Sequence, residues 1–145
     1  MSVADGLECD TILDGIRYVW SQDPVLSPIR FYDDDLAMDA PEVPYALCFL
    51  GPGSPPVRLA GRNYVEQIAG TIKVVCSPTQ TRSIGRQIRL LLSNLGRVST
   101  KEGAILRCII SHGSKVRLPG GNHQLSFPIQ LTVVEYRGPE RLRKQ

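Results

Sequence analysis

The two histidines of this 145-residue chain, His112 and His123, lie in one glycine-rich stretch, "HGSKVRLPGGNHQ". Imidazole is a common zinc ligand, and Cys108 stands four residues before His112. That spacing brings two ligands together on a helix, whereas these residues fall on a predicted strand and the loop after it. A zinc site also needs three or four ligands at fixed spacing. We therefore expect two solvated loop histidines and no metal.

The sequence lacks the motifs of hydrolases that use a side-chain nucleophile or a zinc ion. A serine or cysteine nucleophile needs a neighbouring base and an acid that orients the base. The chain has neither GxSxG nor HExxH, and no acid stands near either histidine. The segment 51–56, "GPGSPP", is rich in glycine but lacks the lysine and following helix of a phosphate-binding loop. We expect no enzyme and no cofactor.

The four cysteines stand far apart and form no CxxC pair. Each has apolar neighbours, which is typical of buried free thiols. We therefore predict reduced thiols in a reducing compartment. The residues are Cys9, Cys48, Cys76 and Cys108.

Positive charge is concentrated on a predicted helix. Arg82, Arg86 and Arg89 recur at spacings of four and three, so they share one side of that helix. Phosphate binding favours such a cluster but usually adds aromatic side chains for stacking, and none stands among these arginines. Three origins stay open: a solvent-facing side, a salt-bridge surface to another protein, and a nucleic-acid contact. Of the two partners, the sequence favours protein over DNA.

The charge is also divided along the chain. Residues 1–56 contain two Lys/Arg and ten Asp/Glu, a net charge of −8, whereas residues 57–145 contain fifteen and four, a net charge of +11. The acidic part includes Asp33, Asp34 and Asp35, which lack the spacing of an EF-hand and repel one another. This polarity fits nucleic acid on the basic part, acidic-to-basic contacts between identical copies, or two solvated surfaces.

The first predicted helix spans residues 6–21. Its apolar residues recur at spacings of three and four, and acidic residues in its first turn complement the helix dipole. Asp23 precedes Pro24, so the helix is expected to end there. The apolar positions are Cys9, Ile12, Leu13, Ile16, Val19 and Trp20, and the acidic ones are Asp5, Glu8 and Asp10.

The second predicted helix begins after Ser77. Ser77 and Gln80 have the spacing of a capping box, with Pro78 at the first helical position, which leaves few free N–H groups for an anion. Gly96 is predicted as a left-handed C-cap, and Gly85 suggests a closely packed neighbour. The apolar face is Ile84, Ile88, Leu91, Leu92 and Leu95.

Extended segments account for most of the remaining chain. We predict strands over 43–50, 57–65, 66–76, 104–111 and 125–136, with a short extended piece, "IRFYD", in the loop before them. Gly70 is a candidate bulge, and Pro128 predicts an edge strand or a bulge. The residues predicted to face inward on the last strand are Leu125, Phe127, Ile129, Leu131 and Val133.

These elements predict an α+β fold, a mostly antiparallel β-sheet with two main helices packed on one face. Residues 1–145 are expected to form one domain, with flexible loops at about 28–42 and 112–124 and a C-terminal tail at 138–145. Apolar and charged fractions of 42% and 21% are those of a soluble globular protein. We expect neither a secretory signal nor a membrane span.

The order of elements resembles that of the tail-terminator (tail-completion) proteins of long-tailed bacteriophages. The likeness lies in size and layout across nearly the full chain. It comprises the first helix (6–21), the "PYAL" strand (44–47), the strand "GTIKVVCS" (70–77) entering a helix (78–95), and the final strands "AILRCIIS" and "QLSFPIQLTVVEYR". Neck and connector components share much of this layout. The acidic "FYDDDLAMDAPE" and the loop 112–124 match no family feature.

The resemblance implies a ring, typically of six copies, seated on the last ring of the tail-tube protein. Such a ring stops tube polymerisation and offers the surface that a neck or connector protein joins. Genome DNA passes through it without sequence-specific binding. The ring assembles in the host bacterial cytoplasm and remains in the tail or neck of the virion, with no membrane contact.

The charge division then suggests that acidic and basic sides of neighbouring copies meet. Loops 28–42 and 112–124 are candidates for docking onto tube and neck. Two alternatives stay open: another head-tail connector, and a nucleic-acid-binding α+β module. The candidate interface residues are Asp33, Asp34, Asp35, Arg82, Arg86, Arg89, Lys115 and Arg117.

Overall fold

The computed structural model describes residues 9–33, 42–58 and 63–136. Of these described residues, 45% lie in strands and 23% in helices, and the sheet is mostly antiparallel, so the predicted α+β fold is confirmed. The elements are α1 (Ile12–Gln22), β1 (Arg30–Asp33), β2 (Tyr45–Leu50), β3 (Val57–Arg58), β4 (Asn63–Cys76), α2 (Thr81–Ser93), β5 (Gly103–Ile110), β6 (Ser114–Arg117) and β7 (His123–Tyr136).

All seven strands belong to one sheet with the order β1-β2-β4-β7-β5, in which β3 pairs with β4 and β6 with β7. The 14-residue strands β4 and β7 pair antiparallel along their whole length. β1 runs parallel to β2. β5 and β6 follow one another along the other side of β7. One edge of the sheet is therefore formed by β1, with the short β3 beside the other end of β4, and the opposite edge is the β5–β6 line.

Both helices cover one face of this sheet, as predicted. The inward-facing residues predicted on β7 are all buried, and the strand register places buried residues of β2 and β4 on the same face. Trp20 of α1 donates its indole N–H to the Ile29 carbonyl at 3.0 Å and packs 5.0 Å from the Phe31 ring. The helical residues buried in this core are Ile12, Ile16, Trp20, Ile84, Ile88, Leu91 and Leu92.

Helix α1 begins at Ile12, although the helix was predicted from residue 6; residues 6–8 lie outside the described residues. The carbonyls of Cys9 and Asp10 accept hydrogen bonds from the backbone N–H groups of Lys101 and Glu102, at 3.0 and 3.1 Å. These bonds hold the chain against the turn before β5, so the helix begins only after Thr11, whose hydroxyl accepts from a first-turn N–H. The predicted end at Asp23 is correct.

The predicted caps of α2 are wrong. Gln80 accepts hydrogen bonds from the N–H and hydroxyl of Ser77, at 3.3 and 3.1 Å, but residues 78–80 form a turn and the helix begins at Thr81. At the other end, Asn94 is the C-cap and Gly96 lies inside a 3₁₀ turn without a positive φ. A Cβ at Gly96 would lie 3.1 Å from the Leu106 carbonyl, so this glycine permits close approach to β5.

Two strand predictions also need correction. The predicted pieces 57–65 and 66–76 are a two-residue β3 and one long β4. The β4–β7 register runs through Gly70 without a shift; a shift occurs instead on β5, between Ile105 and Arg107. Glycine is required at position 70, because a Cβ there would collide with the Phe49 carbonyl of β2.

Pro128 lies in an interior strand, contrary to the prediction of an edge or bulge. Its carbonyl accepts from the Ser111 N–H at 2.9 Å, on the side of β5 and β6. In an antiparallel strand the N–H and C=O of one residue point to the same neighbour. The missing N–H therefore falls where β5 has ended and β6 has not begun, so β4 loses no hydrogen bond.

Residues 112–124, predicted as a flexible loop or a long hairpin tip, contain β6 and its hairpin turn into β7. The Leu118 N–H bonds the Asn122 carbonyl at 2.8 Å, and Gly120 and Gly121 both adopt φ of +95°. Within the predicted loop 28–42, Ile29 is buried and residues 30–33 form β1. Residues 34–41 and the predicted tail 138–145 lie outside the described residues.

The core position of α2 can be tested with two neighbouring residues. Ile88 is 0% exposed and Leu90 is 49% exposed. Replacing Ile88 with alanine leaves a cavity, and we expect a loss of about 2–4 kcal/mol in the free energy of unfolding. Leu90→Ala should change it by less than about 0.5 kcal/mol. Urea denaturation of both variants measures this; equal losses would contradict the packing described.

Candidate functional site

A groove of about 570 Å³ lies between α2 and the β6–β7 hairpin. Three arginines of α2 and one lysine of β6 line it. The arginines recur along the helix so that they share the side facing β6. Lys115 is paired with Leu125, and this register places it on the helix-covered face of the sheet, beside them. We call Arg82, Arg86, Arg89 and Lys115, with the residues beneath them, the basic groove.

The fold brings together four of the eight predicted interface residues. Arg117 is also on β6 but pairs with His123 at the far end of the hairpin and does not line the groove. Asp33 ends β1 at the opposite edge of the sheet. Asp34 and Asp35 lie outside the described residues.

The four cations of the groove are exposed, and across the described ranges no carboxylate forms an ion pair with any of them. The ion pairs found there join Arg17 to Asp14 at 3.6 Å and Lys101 to Asp10 at 3.5 Å, both elsewhere. Like charges brought together repel, by an amount that water and salt reduce. A bound anionic group would relieve that repulsion.

The floor of the groove is apolar. Leu125 and Phe127 are both buried, and the Arg89 guanidinium lies 5.7 Å from the centre of the Phe127 ring. Two glycines widen the groove: a Cβ at Gly85 would lie 3.7 Å from Leu125, and one at Gly113 would lie 3.3 Å from Phe127. Sequence reasoning treated Leu125 and Phe127 only as core. The sequence feature that could have indicated this apolar floor is Gly85, which stands next to the arginines on the helix.

A second polar cluster joins the end of β4, the start of α2 and the start of β7. The Thr81 hydroxyl donates to the Ser77 carbonyl at 3.3 Å and lies 2.9 Å from His123 Nδ1 and 3.9 Å from Cys76 Sγ. His123 is thus held by a hydrogen bond, not fully solvated as predicted; His112 is exposed. Burial raises the pKa of the Cys76 thiol, whereas a nucleophilic cysteine requires a lowered pKa. The cluster is arranged as a structural junction.

No disulfide joins the cysteines, all four of which lie in the described ranges; Cys48 and Cys76 are buried, and Cys9 and Cys108 are partly exposed. In the part of the chain that the structure describes, no three or more His, Cys, Asp or Glu side chains are placed to hold a metal ion. Neither α1 nor α2 is long and apolar enough to cross a membrane.

No protein-family model matches the sequence, and a comparison with curated proteins finds no match either. The functional assignment therefore depends on the geometry of the chain itself. The features that carry it are the basic groove, the two sheet edges and the sheet face that the helices do not cover.

The prediction of a closely packed neighbour at Gly85 is wrong, because a Cβ there would lie 3.7 Å from Leu125, at ordinary contact distance. This room gives a first test. Alanine should fit there and favour the helix, so Gly85→Ala should raise the free energy of unfolding by roughly 0.5–1 kcal/mol. Gly103→Ala is the matched control, because a Cβ there would collide with the Val134 carbonyl and should destabilise the protein. Urea denaturation compares the two. A loss of stability in Gly85→Ala would contradict the open groove.

Cys108 gives a test by pH. Burial raises the pKa of its thiol from 9.0 to about 11, so the folded protein holds this proton more tightly than the unfolded chain. The resulting stability is fully present below pH 9 and is lost as the pH rises through 11. In reducing buffer, the urea midpoint should fall more steeply over this range in the wild type than in Cys108→Ala. Equal falls of the urea midpoint in the two proteins would contradict the raised pKa of Cys108.

Proposed function

We propose that the protein is a tail terminator of a long-tailed bacteriophage. Copies of the chain, typically six, close into a ring on the last ring of the tail-tube protein and stop its polymerisation. The upper face of the ring joins a neck or connector protein, and genome DNA passes through without sequence-specific binding. The protein assembles in the host bacterial cytoplasm and stays in the tail or neck of the virion.

The observation that carries this proposal is the open face of the sheet, opposite the helices. Register places four large apolar side chains there, all 42–67% exposed. Exposed apolar surface of this kind marks protein interaction sites. A single sheet covered by helices on one side leaves the other side for neighbouring molecules. The four residues are Phe49, Val57, Ile109 and Val116.

The two edges of the sheet support a ring in particular. β1 and the β5–β6 line lie at opposite ends of the strand order and differ in sequence and charge. A contact between two different surfaces of identical copies is head-to-tail, and it closes into a ring when the rotation between copies is suitable. The closed ring uses up these lateral surfaces. The described part of the chain contains, in the same order, the helices and strands on which the resemblance to tail terminators is based.

A nucleic-acid-binding module is the second candidate, because four cations line one groove. Single-stranded nucleic acid is usually held by stacking of bases on exposed aromatic rings as well. Phe127, the aromatic residue of the groove, is buried, and the Arg89 guanidinium lies over its ring. The groove therefore offers phosphate contacts without a stacking surface. Another head-tail connector would bind the portal side and leave tube length unchanged.

The proposal predicts rings on tube ends. Electron microscopy of the purified protein mixed with tail tubes should show a ring capping each tube and no further tube growth when tube protein is added. Uncapped tubes that continue to grow would contradict the proposal. Tubes of normal length with the protein bound only to portal complexes would favour a connector instead.

The open face can be tested with matched substitutions. Phe49 and Leu90 are similarly exposed, at 50% and 49%, but Phe49 lies on the open face and Leu90 on α2. Phe49→Asp should abolish the capping of tail tubes seen by electron microscopy, because burying an unpaired carboxylate in a contact is unfavourable. Leu90→Asp should leave capping intact. Circular dichroism checks that both variants fold; tubes capped by Phe49→Asp would exclude this face from assembly.

A further inference from the structure

We propose that the basic groove binds residues 33–42 of a neighbouring copy of the same chain. This stretch, "DDDLAMDAPE", is called here the acidic segment. The inference rests on the proposed function, since it names the contact that joins one subunit of the ring to the next. It assigns a ligand to a groove whose cations have no carboxylate partner in the ranges that the structure describes.

The charge of the acidic segment matches the groove. It carries five carboxylates and no Lys or Arg, opposite four exposed cations on the rim. Arginine binds carboxylates through paired, charge-assisted hydrogen bonds, which are among the strong polar contacts of proteins.

Chain length favours a neighbour over the same molecule. β1 ends at Asp33 and the parallel β2 begins at Tyr45, so eleven residues, 34–44, must return to the sheet edge on which they started. The β6 edge lies four strand spacings away, roughly 19 Å at about 4.8 Å each. An outward and return path takes about 38 Å, nearly the whole extended length of eleven residues, about 36–40 Å. No residue of the acidic segment would then remain to contact the groove of its own molecule.

The positions of the two surfaces also give the contact a direction. The acidic segment leaves the β1 edge, and the groove lies beside β6 at the opposite edge. Each copy can therefore donate one segment and accept one. This is the head-to-tail arrangement from which closed rings are built.

Complementary charge reversal tests the contact. Arg82→Glu/Arg86→Glu makes the groove acidic, and Asp34→Lys/Asp35→Lys makes the segment basic. Each variant alone should remain monomeric in multi-angle light scattering, because like charges then face each other. An equimolar mixture should restore rings for two reasons. The basic segment of one variant meets the acidic groove of the other, and the unchanged acidic segment of the second variant meets the unchanged basic groove of the first. Monomers in the mixture, or rings in either variant alone, would overturn the proposal.

A peptide measurement tests the groove without ring assembly. A fluorescein-labelled peptide of residues 33–42 should bind the Asp34→Lys/Asp35→Lys protein, whose own segment cannot compete, and raise the fluorescence anisotropy. Adding Arg86→Glu should weaken binding by about tenfold or more. Lys101→Glu, the same charge change at an exposed residue outside the groove, should weaken it far less. Equal losses in both, or tighter binding of duplex DNA than of the peptide, would overturn the proposal. Circular dichroism verifies folding throughout.

The outcomes separate this contact from the proposed function. Tube-capping rings that survive charge reversal in the groove would overturn the contact and leave the tail-terminator role standing. Rings restored in the mixture that fail to cap tail tubes would support the contact and contradict the role.

Discussion

The full-length pairing of β4 with β7 is the constraint on which the rest of the structure depends. Fourteen consecutive residues on each strand are in register, so the alternation of side chains is fixed along the whole sheet. Buried aliphatic and aromatic residues fall on one face, and both helices cover it. The other face and the two edges remain available to other molecules.

The same pairing creates the basic groove. β7 extends beyond the end of β5, and β6 adds to this extension as a hairpin strand beside the start of α2. The arginines of α2 then face a lysine on β6 across an apolar floor. Charges that are far apart in the sequence become one surface because the hairpin folds against the helix.

Sequence periodicity was sufficient to predict both helices, the buried residues of β7 and the α+β class, because these depend on local spacing. Features set by distant contacts were missed. The start of α1 depends on backbone hydrogen bonds to the turn before β5, and Pro128 is tolerated inside the sheet because the neighbouring edge is interrupted there. Lys115 was predicted as an interface residue together with Arg82, Arg86 and Arg89, but its position beside them and the apolar floor required the register of β6 against β7.

The assembly that we propose joins copies of this chain head to tail, with the β1 edge of one copy against the β6 edge of the next. A cryo-electron microscopy reconstruction of the assembled protein would show this contact. We expect a closed ring with a single repeated contact between these two edges, and density for residues 33–42 of each copy in the groove of its neighbour. A two-fold dimer with identical surfaces in contact, or a monomer at every concentration, would contradict it.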